Sequence, residues 1–203
     1  MPIQPVAVSA LLVVLFVPSP ALPTAAPSSP GAPGAIDAGD VKVHRARFAS
    51  AVRISGEPFR LNGAGLFRWN YFVKVYAAAL YLPEGRAFDL ASDVPRRLEI
   101  AYFVDIGAKG FGRAANQLLE RSFAAEELAP LRERLDRLHA AYVDIRPGDR
   151  YTLTYLPGAG TELAHNGRRL VVIEGEDFAR AYFSIWLGDR PIDGGLRDAL
   201  LGT

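Results

Sequence analysis

Hydrophobic and polar positions divide this chain into a charge-free leader and a patterned body. Residues 1–36 carry no charged side chain, and an apolar run at 6–17 is followed by a stretch rich in Pro, Ala, Ser and Gly. That order reads as a secretory signal and a flexible linker, although no Lys or Arg precedes the apolar run. The run is too short to span a bilayer. Cleavage is expected after Ala21 or near Ala25 and Ala26, with an uncleaved anchor as the lesser reading. The expected division is a signal at 1–26, a linker at 27–42 and one domain at 43–203, in a periplasmic or secreted protein whose mature chain has no membrane span.

In the body, residues 46–54 alternate loosely, with Phe48, Val52 and Ile54 as inward candidates. Gly56 allows a turn. Asn62–Gly63 predicts a two-residue hairpin, and Gly65 lets the backbone run close to a neighbour or a ligand. Residues 72–82 predict a long central strand, because Tyr71, Phe72, Val73, Val75 and Tyr76 favour that conformation. Ala77 to Ala79 leave helix open as an alternative, and Pro83 ends the element. A connection over 84–95, with a short helical turn near Leu90, leads to a second strand at 97–106.

Residues 111–127 then read as a helix carrying Ala114, Ala115, Leu118, Leu119 and Phe123 at three- and four-residue intervals. Pro130 opens another helix, whose Leu131, Leu135, Leu138 and Tyr142 share a face. Residues 151–156 alternate as a strand. Residues 162–165 and 168–173 flank Asn166–Gly167, a type I′ hairpin signal. Residues 177–187 form an amphipathic helix stopped by Gly188, and 196–201 a last short one. Strands, helices, strands and helices in that order describe an α+β domain.

Composition removes several functions. A length of 203 residues at 50% hydrophobic supports one real core. A net charge of +1 offers no field for nucleic acid. With no cysteine, disulfides, thiolate metal sites and cysteine nucleophiles are excluded. His44, His139 and His165 are too widely spaced for a short metal motif. Glu174, Glu176 and Asp177 could resemble a carboxylate metal site, but acids are favourable at a helix start anyway. No cofactor is expected.

Three segments point to a known family: LNGAGLFRWNYFVKVYAAALYL at 61–82, PGAGTELAHNG at 157–167, and AYFSIWLGDRPIDGGLRDALLG at 181–202. In this order they resemble the bacterial chalcone isomerase-like family over most of the chain after Val43. The resemblance implies an antiparallel β-sheet packed against a helical layer, with an elongated cleft between them.

The resemblance also implies site residues. Arg68 lies between a glycine turn and an aromatic strand, where an unpaired guanidinium would be costly. The family places an arginine near this point, facing a ligand's anionic oxygen or carboxylate, which makes Arg68 a candidate clamp. Tyr76 falls where the plant enzyme has its catalytic threonine. Phe111 stands where that enzyme has a tyrosine, Asn116 near its asparagine, and Ile185 in place of a second threonine. The polar network that steers chalcone cyclisation is therefore largely replaced.

An apolar slot with one anion clamp suits a fatty acid or similar hydrophobic carboxylate, held without catalysis. Three rivals stand beside this reading. They are an isomerase or lyase acting on a small phenolic or enone substrate, a haem-binding protein using His139 or His165, and a structural or protein-interaction module whose cleft is filled by its own side chains.

Overall fold

The computed structural model describes residues 39–203; the expected signal, and the expected linker up to residue 38, lie outside it. A short hairpin comes first among the described residues, β1 (Val41–Val43) with β2 (Ala46–Phe48). Seven further strands follow: β3 (Ala51–Ile54), β4 (Glu57–Trp69), β5 (Val73–Pro83), β6 (Arg96–Tyr102), β7 (Arg150–Leu156), β8 (Gly160–His165) and β9 (Arg168–Ile173). Each pairs antiparallel with the next, giving one sheet in unbroken chain order. Helices α1 (Ala108–Ser122), α2 (Ala125–Leu128) and α3 (Arg132–Ala141) come between β6 and β7. Helices α4 (Glu176–Leu187) and α5 (Gly194–Leu201) follow β9.

The two faces of β5 explain its sequence. Tyr76, Ala78, Leu80 and Leu82 join the large core that includes Leu119, Leu138, Phe178 and Tyr182 from the helical layer. Ala77, Ala79 and Tyr81 join a second cluster with Phe48, Ile54 and Phe59 on the opposite face. A strand covered on both sides reads as a continuous apolar run rather than an alternation. The central strand is thus where the sequence predicts it, over Val73–Pro83.

Several expectations are corrected. Asn62–Gly63 is no hairpin turn. It lies inside the 13-residue β4, at an irregularity in its register with β5. Gly63 is required there because a Cβ would sit 2.2 Å from the carbonyl oxygen of Ala199 in α5. Asn62 Nδ2 donates to the Leu200 carbonyl at 2.7 Å, tying the same strand to the same helix. A tertiary contact, not turn chemistry, selected both residues. At Gly65 the expected close neighbour is again α5, since a Cβ would meet Ala199 and Leu196 at 2.9 Å.

The turn joining β4 to β5 is Asn70–Tyr71–Phe72, which takes Phe72 out of the expected strand. The second strand ends at Tyr102, and Ile106 makes only an isolated bridge to Ile145. The expected helix at 111–127 is divided, as α1 ends at Ser122 and α2 begins at Ala125. Helix α4 is buried around most of its circumference, from Phe178 and Ala179 through Ala181 to Leu187, because α1 and α5 pack on it as well as the sheet. It is therefore less amphipathic than its sequence suggests. Asn166 (φ 48°) and Gly167 (φ 80°) form the expected left-handed turn between β8 and β9.

Candidate functional site

Inward-facing residues of β4 to β7 meet those of α1, α4 and the end of α3 in a cluster of aromatic rings. Phe67 stacks on Tyr76 with ring centroids 4.9 Å apart. Tyr76 meets the edge of Tyr102 at 5.6 Å, and Tyr102 meets Phe111 at 5.8 Å. Phe111 stacks on Tyr142 at 4.6 Å. From α4, Trp186 Nε1 donates to the Tyr76 hydroxyl at 3.1 Å, and Tyr182 shares a 2.9 Å hydrogen bond with the Tyr142 hydroxyl.

The polar inventory of this layer is unbalanced. Tyr76, Tyr102, Tyr142, Tyr182 and Trp186 are all buried and each carries one donor proton. The two hydrogen bonds just named use one donor each. The hydroxyl protons of Tyr76, Tyr102 and one of the Tyr142–Tyr182 pair therefore have no protein acceptor among the described residues. Tyr151 differs, since its hydroxyl both accepts from the Val143 amide and donates to the Val143 carbonyl, each at 2.9 Å.

Burial raises the pKa of Tyr76, Tyr102, Tyr142 and Tyr182 far above the ordinary phenol value. Tyr151 is pushed up to about 12, again mainly by burial. The phenols are held protonated, so they are donors and not bases. Beside Tyr182, at 6.0 Å between ring centroids, lies His139. Burial lowers its pKa, with Asp136 opposing, and its Nε2 has no hydrogen-bond partner among the described residues.

The sequence-derived residues distribute unevenly around this cluster. Tyr76 is central to it, and Phe111 is half-buried at its side. Ile185 is buried on α4 between Tyr182 and Trp186 in sequence. Asn116 is half-buried on α1, with no side-chain hydrogen bond among the described residues. Arg68 is exposed on β4, across from Lys74. A register irregularity falls between Phe67 and Arg68, and it is Phe67 that stacks on Tyr76. A displacement of one residue along a strand exchanges its faces.

Tyr102, Tyr142, Tyr182 and Phe67 were not singled out as site residues from sequence. Tyr182 is legible as an inward helix residue, whereas Tyr142, expected on the helical face, follows α3 in extended backbone. The meeting of their hydroxyls is not legible, as it joins segments 40 positions apart. A further buried polar group is Arg96. Its guanidinium lies 5.0 Å from the Tyr155 ring centroid and 5.1 Å from that of Phe183.

Glu174, Glu176 and Asp177 do not make a metal centre: Asp177 receives two hydrogen bonds from Arg134, at 2.8 and 2.6 Å. Among the described residues no group of acids and histidines could hold a metal ion. Two open depressions, of about 300 and 220 Å³, are also present, and Tyr102 of the aromatic cluster lines the larger. One is beside Arg45, Ala46, Phe103 and Arg150, the other by Ile54, Glu57, Phe59 and Pro83.

The sequence profile of a family described as chalcone isomerase-like matches residues 40–202. No curated protein matches the chain at a significant level. Among solved structures, an Arabidopsis thaliana fatty-acid binding protein superposes with a TM-score of 0.60, over 80% of this chain and 96% of that one. The two share 16% sequence identity, so the likeness is one of fold.

Proposed function

We propose, for this chain, which belongs to the chalcone isomerase-like family, a role as a non-catalytic binding protein for a fatty acid or similar hydrophobic carboxylate. The observation that carries the reading is the excess of protonated phenol donors in an otherwise apolar layer. A carboxylate accepts several hydrogen bonds and donates none, so it is the complement of that excess. Each buried CH₂ of a tail would contribute roughly 0.8 kcal/mol. Each hydrogen bond to the charged head would add about 1.5–3 kcal/mol. Entry requires the half-buried rings of Phe67 and Phe111 to swing aside. Arg68, on the exposed side of β4, supplies only longer-range attraction in this arrangement.

The test is titration of the protein with a series of saturated fatty acids. Tyr76→Phe and Tyr102→Phe are each expected to weaken binding about tenfold, the lower end of the range for a hydrogen bond to a charged group. Arg68→Ala is expected to change it little. Failure of the wild type to bind any member of the series, or unchanged affinity in the double Tyr→Phe variant, overturns the reading. Loss of binding in Arg68→Ala alone would move the head group to the β4–β5 hairpin.

A second reading rests on His139. An unpartnered imidazole beside neutral phenols places a proton acceptor next to donors for a developing enolate oxygen, as proton transfer on a small enone requires. Turnover in an enone panel that disappears in His139→Gln would favour that reading over simple binding.

A further inference from the structure

The turn between β4 and β5 is built against the interests of folding. Tyr71 and Phe72 at its tip are 90% and 89% exposed, and Trp69 and Val73 beside them are 41% and 42% exposed. Asn70 and Tyr71 both adopt left-handed backbone, at φ 51° and 65°. Asparagine tolerates that conformation, but an aromatic residue there is strained. The left-handed turns at Ser55–Gly56 and Asn166–Gly167 instead have glycine as their second residue. Tyr71 thus bears backbone strain and gains almost no burial in return. Two adjacent, fully presented aromatic side chains mark an interaction surface.

The exposed charges behind the tip are cationic. Arg68 and Lys74 are paired across the hairpin just behind it. Lys42 and Arg45 come from the β1–β2 hairpin, and the fields of all four cations reach His44. All four are exposed or half-buried, and among the described residues none forms a salt bridge. Asp40, next to β1, is the nearest acid in sequence and forms none with them either. Protruding aromatics backed by a cross-strand pair of exposed cations match the layering of an anionic bilayer, with headgroup charge outside and an apolar interior that takes Tyr, Trp and Phe at its boundary. We propose that the tip of the β4–β5 hairpin docks this protein on an anionic lipid surface, Tyr71 and Phe72 entering the interface and Lys42, Arg45, Arg68 and Lys74 contacting lipid headgroups. This docking is independent of what the interior layer binds.

The experiment uses the full chain with large unilamellar vesicles of phosphatidylglycerol and phosphatidylcholine, and with phosphatidylcholine alone. Expected are cosedimentation with the anionic vesicles only, weakening at high salt, and a blue shift of Trp69 fluorescence on binding. Tyr71→Ser/Phe72→Ser should lower vesicle affinity at least tenfold with an unchanged circular dichroism spectrum. Lys42→Glu/Lys74→Glu should lower it by about fivefold for each cation lost, from the contribution of one basic residue near such a surface. Undiminished binding by the tip variant overturns the proposal and assigns membrane affinity to the apolar run at 6–17. Tip-dependent self-association in the absence of vesicle binding, or tip-dependent capture of a single-stranded oligonucleotide in its place, also overturns it.

Discussion

Phe67 stacks on Tyr76, and Arg68, the next residue in the chain, is exposed on the other side of β4. This relationship predicts opposite outcomes for neighbouring substitutions. Phe67→Ala is expected to cost about 2 kcal/mol, less than a fully buried ring because Phe67 is half-buried. Arg68→Ala should stay within about 0.5 kcal/mol of wild type, as surface substitutions do. Chemical denaturation measures both, and equal losses would contradict the assigned faces.

Gly63 should be among the least replaceable residues outside the aromatic cluster. A Cβ placed 2.2 Å from the Ala199 carbonyl oxygen must push α5 from the sheet. Gly63→Ala is expected to lose about 3 kcal/mol, the upper part of the overpacking range. Asn62→Ala, which removes one hydrogen bond to Leu200, should lose about 1 kcal/mol. A melting temperature for Gly63→Ala equal to that of wild type would refute the close approach.

The Tyr142–Tyr182 contact joins the end of α3 to α4 through two buried hydroxyls 2.9 Å apart. Tyr142→Phe and Tyr182→Phe should each cost about 1 kcal/mol. In a double-mutant cycle the pair should show a coupling of roughly 0.5–1.5 kcal/mol. Strict additivity would mean that the two hydroxyls do not interact.

His139 should make stability depend on mild acid. Its folded pKa lies below the ordinary 6.5 because the ring is buried. As pH falls through 6.5 the unfolded chain takes up a proton that the folded chain still refuses, so the unfolded state binds more protons and stability falls. The contribution is fully present above that pH and is lost progressively below it. His139→Leu should flatten this slope in a urea series against pH. Some slope remains because His44 is also held low, by partial desolvation and then by Lys74, Arg45, Arg68 and Lys42.

Arg96 offers a contrast between charge and volume. The residue is 1% exposed, its Nη1 donates to the Ser92 carbonyl at 3.3 Å, and its Nε and Nη2 have no partner among the described residues. Arg96→Met keeps the apolar contact between two rings and removes the poorly satisfied charge, so stability should stay within about 1 kcal/mol or rise. Arg96→Ala leaves a gap between Tyr155 and Phe183 and should cost roughly 2–3 kcal/mol. Thermal melts of the two variants separate packing from charge.

The residues of β5 show how much of the fold was readable. Its β-branched and aromatic run, ended by Pro83, predicts a central strand by local preference alone, and Asn166–Gly167 predicts its hairpin for the same reason. Asn62–Gly63 carries an equally strong turn signal and lies in mid-strand. There, the demands of helix α5 outweigh local preference. Tyr76 and Phe111 are candidates from the resemblance around Lys74 and at the start of the helical region, and both lie in the aromatic cluster. Tyr102, Tyr142 and Tyr182 are not, since any inward aromatic looks like ordinary core.

By itself the sequence determined the α+β class, the central strand, most helices, and membership in a family that carries its own motifs. The first three depend on short-range terms, periodicity and backbone preference, and the family on the resemblance of three segments to its motifs. Only the tertiary structure decided which side of β4 carries Phe67 and which Arg68, why Gly63 must lack a side chain, and that buried phenols outnumber their acceptors. It also decided that Arg68 and Lys74 are paired across the hairpin whose tip exposes Tyr71 and Phe72. Those features arise where distant segments meet, and a one-residue irregularity in strand register is enough to reverse them.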